Sequence, residues 1–314
     1  MLSDLKRCLK NDIRSLLLRC YNRGDRGRSF VGKILSLGSI GDKNMKGLLR
    51  GIGYFILYVV FTIVVQIILS MLIVQYAAGN GITGQNQIEE FANLNTLGMT
   101  VASGLLTILF LFLLFKIPKK NIVKEWRLNS FAFADLIKGC LLLFSIASIF
   151  SLVTINADIE NSRLIAASAQ YYSAQVPYMG TILMILNLLL IAPIAEEIAL
   201  RGIVYTRIEK NLKPVLAIII SAVLFGLMHL MAGGIILVLG AMIMGLALGL
   251  LLYKYNSLWI CIIAHICANI PDFIYSKERF ASTGLRIGLI TVFSIAALAS
   301  LLWIFKGRRK DSLR

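Results

Sequence analysis

Eight apolar runs, each long enough to thread a bilayer, leave this 314-residue chain little freedom to be anything but a membrane bundle. They are Ile52 to Ala77, Leu97 to Phe115, Leu136 to Ile155, Gly180 to Leu200, Pro214 to Met231, Gly234 to Tyr253, Leu258 to Ile274 and Ile287 to Phe305. About 20 helical residues cross a hydrocarbon layer roughly 30 Å thick. Runs this continuous lack the alternation of a barrel strand, so helices are the form that satisfies the backbone inside lipid. With 58% hydrophobic and only 15% charged residues, and a mean hydropathy of +0.80, the chain needs lipid as its solvent. The expected fold is all-α: a polytopic transmembrane bundle of about eight spans.

Basic residues orient the bundle. Of 32 Lys and Arg, 28 fall on one set of alternate connections; the four left on the other are Arg163, Lys277, Arg279 and Arg286. By the positive-inside rule both termini are expected in the cytoplasm. The net charge of +16 then reflects topology and anionic lipid, with no nucleic-acid partner implied. Residues 1–50 carry 12 Lys or Arg against four Asp and read as a basic, membrane-proximal cytoplasmic segment; 51–305 form one bundle and 306–314 a basic cytoplasmic tail. The five cysteines, Cys8, Cys20, Cys140, Cys261 and Cys267, show no paired spacing and imply no disulfide framework. No internal repeat is visible. In the sixth run Gly245 and Gly249 have the spacing of close helix packing. Nothing specifies an oligomeric state.

Against this apolar background a few polar groups stand out, because ionisable side chains at membrane depth are costly. The fourth run ends in Glu196, Glu197 and Arg201; the fifth holds Phe225 and His229; the seventh holds His265 and Asn269. Adjacent acids on a helix diverge by about 100°, so Glu197, four residues before Arg201, is expected to pair with it while Glu196 faces elsewhere. Pro193 lacks an N–H and is expected to free a carbonyl one turn earlier, widening the helix just below the acids. If the fourth and fifth helices turn near residues 212 and 213, Glu196 and His229 each lie about 16 residues, roughly 25 Å, from the turn. They should meet at one level. Glu89 and Glu90 form another acid pair, but in a polar loop, and read as solvated surface.

Each pair alone has a plain reading: a solvated helix end, a core histidine, an interhelical hydrogen bond. Together a carboxylate base, two imidazoles and an amide match the needs of amide hydrolysis by activated water. GxSG-like, GxGD-like and HExxH patterns are absent from the spans, against serine, aspartyl and zincin-type intramembrane proteases. The same groups could instead serve a non-enzymatic membrane protein that binds a peptide or another membrane protein among these helices, or a proton-coupled transporter.

The motifs EExxxR, FxxxH and HxxxN resemble those of the CPBP family (CAAX protease and bacteriocin-processing, or Abi) of intramembrane endopeptidases, over about residues 180–275. The resemblance implies that Glu196 with His229 activates water, that His265 and Asn269 stabilise the oxyanion, and that Glu197, Arg201 and Phe225 support them. The family is commonly labelled metalloprotease. Zinc is possible, with Glu196, His229 and His265 as candidate ligands, and a metal-free glutamate-activated water is equally consistent. Leu200 departs from the aromatic usual before the motif Arg. Partners implied are membrane lipid and a peptide or membrane-protein substrate, in the plasma membrane of a bacterium.

Overall fold

A computed structural model describes residues 42–156, 160–276 and 279–306. The chain divides into two compact units, Met1–Gly47 and Leu48–Arg314. Of the first only residues 42–47 are described, so most of the basic segment 1–50, with Cys8 and Cys20, lies outside the described residues, as does most of the tail 306–314. Apart from residues 42–47, the described helices belong to the second unit.

Among the described residues all regular structure is helical, as composition requires. In chain order the helices are α1 (Asp42–Gly79), α2 (Gln85–Leu94), α3 (Thr96–Lys116), α4 (Ile122–Glu125), α5 (Phe133–Thr154), α6 (Glu160–Gln175), α7 (Met179–Glu209), α8 (Pro214–Met228), α9 (Leu230–Tyr255), α10 (Leu258–Asn269), α11 (Pro271–Ile274) and α12 (Thr283–Lys306). Six are long and apolar enough to cross a membrane: α1, α3, α5, α7, α9 and α12. The other two expected spans, Pro214 to Met231 and Leu258 to Ile274, hold shorter apolar helices, Pro214–Met228 and Leu258–Ile274. At the helical rise the 15 residues of α8 reach only about 22 Å. The chain is an integral membrane protein in which short helices carry two of the three polar pairs.

The acid-bearing helix α7 alternates between two pitches. Leu186–Ile191 and Ile198–Tyr205 are π-helical, and α-helical Ala192–Glu197 lies between them. The widening expected from Pro193 is present on its N-terminal side. A second wide stretch follows the acids.

Helices α8 and α9 meet at His229 and form an antiparallel hairpin, and Gly234, at φ +63°, breaks the regular backbone near the start of α9. Small residues set how closely they pack. A Cβ on Gly245 would stand 2.9 Å from Ala222 Cα, and one on Gly249 3.1 Å from Ile218 Cγ2. The packing role expected of these glycines is borne out.

At the end of the bundle where α7 meets α8, the segment 117–132 works as a strap. Asn121 caps α4 by accepting from the Lys124 N–H at 3.1 Å. Arg127 pairs with Glu209, and Arg207 with Glu125, tying the strap to the last turns of α7. Arg207 also lies over the rings of Tyr54 and Phe115. The Leu258 N–H donates to the Arg127 carbonyl at 2.9 Å, and Ser257 Oγ to the Asn129 carbonyl at 2.7 Å. One strap thus fixes the starts or ends of α3, α7 and α10 together.

At the opposite end two amphipathic helices, α2 and α6, close over α3. Ser168 Oγ donates to the Leu94 carbonyl at 2.6 Å and accepts from the Leu97 N–H at 3.0 Å. Glu89 and Glu90 lie exposed on α2, as the surface reading requires.

Candidate active site

The α7 register puts Glu197 and Arg201 on one face, and both are fully buried. Arg201 Nη1 donates to Glu197 Oε1 at 2.9 Å, the pairing expected from their spacing. A charge buried in hydrocarbon surroundings needs several partners. Arg201 finds two more: its Nη2 donates to the Gly245 carbonyl at 3.3 Å, and its guanidinium lies 4.3 Å from the centroid of the Phe225 ring. Gly245 therefore has a second role beyond packing. Without a side chain it lets its carbonyl come within reach of the guanidinium.

Phe225 is the hub that joins the motifs. Buried completely, it meets Arg201 with its face, His229 edge-on at 4.9 Å and His265 edge-on at 5.8 Å. The Arg201 to Phe225 contact also fixes the relative height of α7 and α8. Glu197 lies four residues before Arg201 and His229 four residues after Phe225, so the one Arg201–Phe225 contact links the helix turns that carry the acids and this imidazole.

His265 bridges both acids. Its Nδ1 lies 2.9 Å from Glu197 Oε1 and its Nε2 3.8 Å from Glu196 Oε2. A carboxylate only accepts, so Nδ1 donates its proton to Glu197 Oε1, while Nε2 faces Glu196 Oε2. His229 is held through the same ring atom: Nδ1 faces the Phe225 carbonyl at 2.8 Å, and Nε2 has no hydrogen-bond partner among the described residues. Glu196 differs from its neighbour. It is 17% exposed where Glu197 is sealed, so two adjacent carboxylates occupy two environments. Within ion-pair distance Glu196 meets His265; it has no such contact with His229 among the described residues.

Asn269, one turn beyond His265, donates its Nδ2 to the Leu188 carbonyl at 2.6 Å. That engages one of its two amide hydrogens. Tyr58, buried on α1 and within electrostatic reach of both Glu196 and Glu197, is a neighbour of the acids that sequence reasoning missed. A tyrosine in an apolar run carries no signal that would have found it.

Glu196, His229 and His265 were the candidate zinc ligands. Among the described residues no three His, Cys, Asp or Glu side chains converge closely enough to hold a metal ion. Both imidazoles hold Nδ1 against an oxygen, His265 on Glu197 and His229 on the Phe225 carbonyl, an orientation that metal-ligating histidines share, while the spacing brings no three of these side chains together among the described residues.

No curated protein and no solved structure matches the chain. A family model does: residues 178–271 match the type II CAAX prenyl endopeptidase Rce1-like family. The matched segment runs from the residue before α7 to the first residue of α11, and it contains every side chain of the three motif pairs. Over residues 178–271 the chain is therefore similar to the Rce1-like type II CAAX prenyl endopeptidases, which is the CPBP resemblance carried by its motifs.

Proposed function

We propose that the protein is an intramembrane endopeptidase that hydrolyses a peptide bond of a membrane-associated peptide or protein, by a water that Glu196 and His229 activate. The observation that carries the reading is the split between the two acids: Glu197 locked by Arg201 and His265, Glu196 partly open and facing Nε2 of His265. Paired titratable groups in unlike environments divide structural from proton-transfer work.

Glu196 takes a proton from the water as its oxygen attacks the carbonyl carbon. The proton then passes to His265 Nε2, which becomes an N–H donor facing the oxyanion, together with the second amide hydrogen of Asn269. As the tetrahedral intermediate collapses, the same proton goes to the leaving nitrogen and His265 returns to its neutral form. His229, anchored through Nδ1, orients the water with Nε2. Glu197 and Arg201 hold His265 in the tautomer this requires.

In this reading both termini lie in the cytoplasm of a bacterium, the eight apolar helical stretches line or span its plasma membrane, the strap and its lysines mark the cytoplasmic side, and cleavage occurs within the bundle at the level of Glu196. A prenylated CAAX substrate belongs to the family's description; the substrate class here is broader, a membrane-associated chain.

The test is quantitative peptidomics on membranes holding the native chain, Glu196→Gln or His229→Ala. Cleavage products are expected only with the native chain. Products undiminished in Glu196→Gln would contradict the assignment, and a phenotype retained by both variants would favour a binding protein instead.

A further inference from the structure

The backbone of α7 has an interruption whose repair comes from another helix. In the wide segment Leu186–Ile191 the ladder steps five residues: the Ala192 N–H donates to the Asn187 carbonyl. The next rung would run from the N–H of residue 193 to the carbonyl of Leu188. Residue 193 is proline and has no N–H to give. With the Ala192 N–H taken by Asn187, the Leu188 carbonyl has lost both its α-helical and its π-helical donor.

An orphaned carbonyl inside a membrane is costly, because hydrocarbon offers no donor to replace the one it lost. Asn269 Nδ2 meets this one at 2.6 Å. From the same helix His265 Nδ1 reaches Glu197 at 2.9 Å. Helix α10 therefore grips α7 on both sides of Pro193, through the backbone before it and a side chain after it, as a splint grips a break.

Glu196 and Glu197 follow Pro193 within about one turn. A helix that reverted from the wide pitch to the α pitch would change its phase by about 100° per residue of slip, swinging Glu196 away from His265.

We propose that Asn269 is a positioning residue: its amide completes the backbone ladder that Pro193 interrupts, and this bond fixes the phase at which α7 presents Glu196 and Glu197. The catalytic consequence rests on the protease reading; the ladder itself does not.

The test is a double-mutant cycle between Pro193 and Asn269 in the full chain, read by unfolding midpoint in micelles and by cleavage of a substrate found by peptidomics. Asn269→Ala should lower the midpoint and cut kcat about 100-fold, with KM little changed. Pro193→Ala restores an N–H to α7, so Pro193→Ala/Asn269→Ala should regain at least about half of both losses on a logarithmic scale. An amide that served only the oxyanion would gain nothing from that change. Asn269→Asp, nearly isosteric but without an N–H, should match Asn269→Ala; native kcat in this variant overturns the proposal. Equal losses from Asn269→Ala in the native and Pro193→Ala backgrounds also overturn it, whatever cleavage shows. Coupling in the midpoints with no cleavage by the native chain upholds the ladder and removes the protease reading instead.

Discussion

Arg201 offers the sharpest test of how the buried charges are held. Replacing it by Leu removes the Nη1 bond to Glu197, the Nη2 bond to the Gly245 carbonyl and the stack on Phe225. It also leaves the sealed Glu197 carboxylate with His265 as its remaining donor, since Glu197 Oε2 already lacks a partner among the described residues. Ordinary interhelical hydrogen bonds in membranes are worth about 0.6 kcal/mol on average, whereas stranding one partner of a buried ion pair costs about 3–5 kcal/mol. The second effect should dominate: Arg201→Leu and Glu197→Leu should each cost about 3 kcal/mol or more. Glu197→Leu/Arg201→Leu strands no charge and should cost clearly less than the sum, with a coupling of at least about 2 kcal/mol. Reversible unfolding in mixed micelles, or steric trapping in bicelles, measures all four corners of the cycle. Losses that add to within about 0.5 kcal/mol would refute the compensation argument.

Glu196→Gln should change unfolding free energy by no more than about 0.5 kcal/mol while slowing cleavage by about 100- to 10,000-fold; a destabilised but active variant would reverse the roles given to the two acids. Gly245→Ala places a Cβ 2.9 Å from Ala222 Cα and 3.3 Å from Phe225 Cδ1, so it should cost about 1–3 kcal/mol and reduce cleavage; an unchanged melting curve would show that the helices do not pack this closely. In the strap, burial pushes Glu125 up, but Arg207 and Lys210 outweigh it and hold the carboxyl below its ordinary value of 4.5. A folded value below the unfolded one means the contribution is complete above about pH 4.5 and is lost as pH falls through the lower folded value. Hydrogen exchange of residues 117–132 should therefore quicken in that acid window and lose this dependence in Glu125→Gln; identical profiles for the two proteins would remove Glu125 as the cause.

Much of the architecture was legible because hydrocarbon permits so few solutions. Each of the eight apolar runs coincides with helix, but length proved less readable than existence. The run ending at Leu200 continues as helix to Glu209, since Arg201, Tyr205 and Arg207, which by composition mark an exit from the membrane, are buried by partners on other elements. Helices α2 and α6 lie in connections between the apolar runs, where short polar helices that pack on each other and on α3 leave little trace in hydropathy. Pro193 announced a widened turn; the second wide stretch after the acids has no comparable marker. Glu197 with Arg201 followed from helical spacing alone. That His265 would bridge both acids, and that Asn269 would bind a backbone carbonyl, depended on how α10 packs against α7, a long-range fact that spacing within one helix does not encode.

If a water activated at Glu196 cleaves the peptide bond, its oxygen must end in the product. Cleavage in H2(18)O follows that atom, by mass spectrometry of the new C-termini from proteoliposomes holding the native chain or Glu196→Gln. New carboxylates bearing one solvent oxygen are expected with the native chain, and none of those termini with Glu196→Gln. The same labelled termini appearing at undiminished rate in Glu196→Gln would contradict the proposed chemistry.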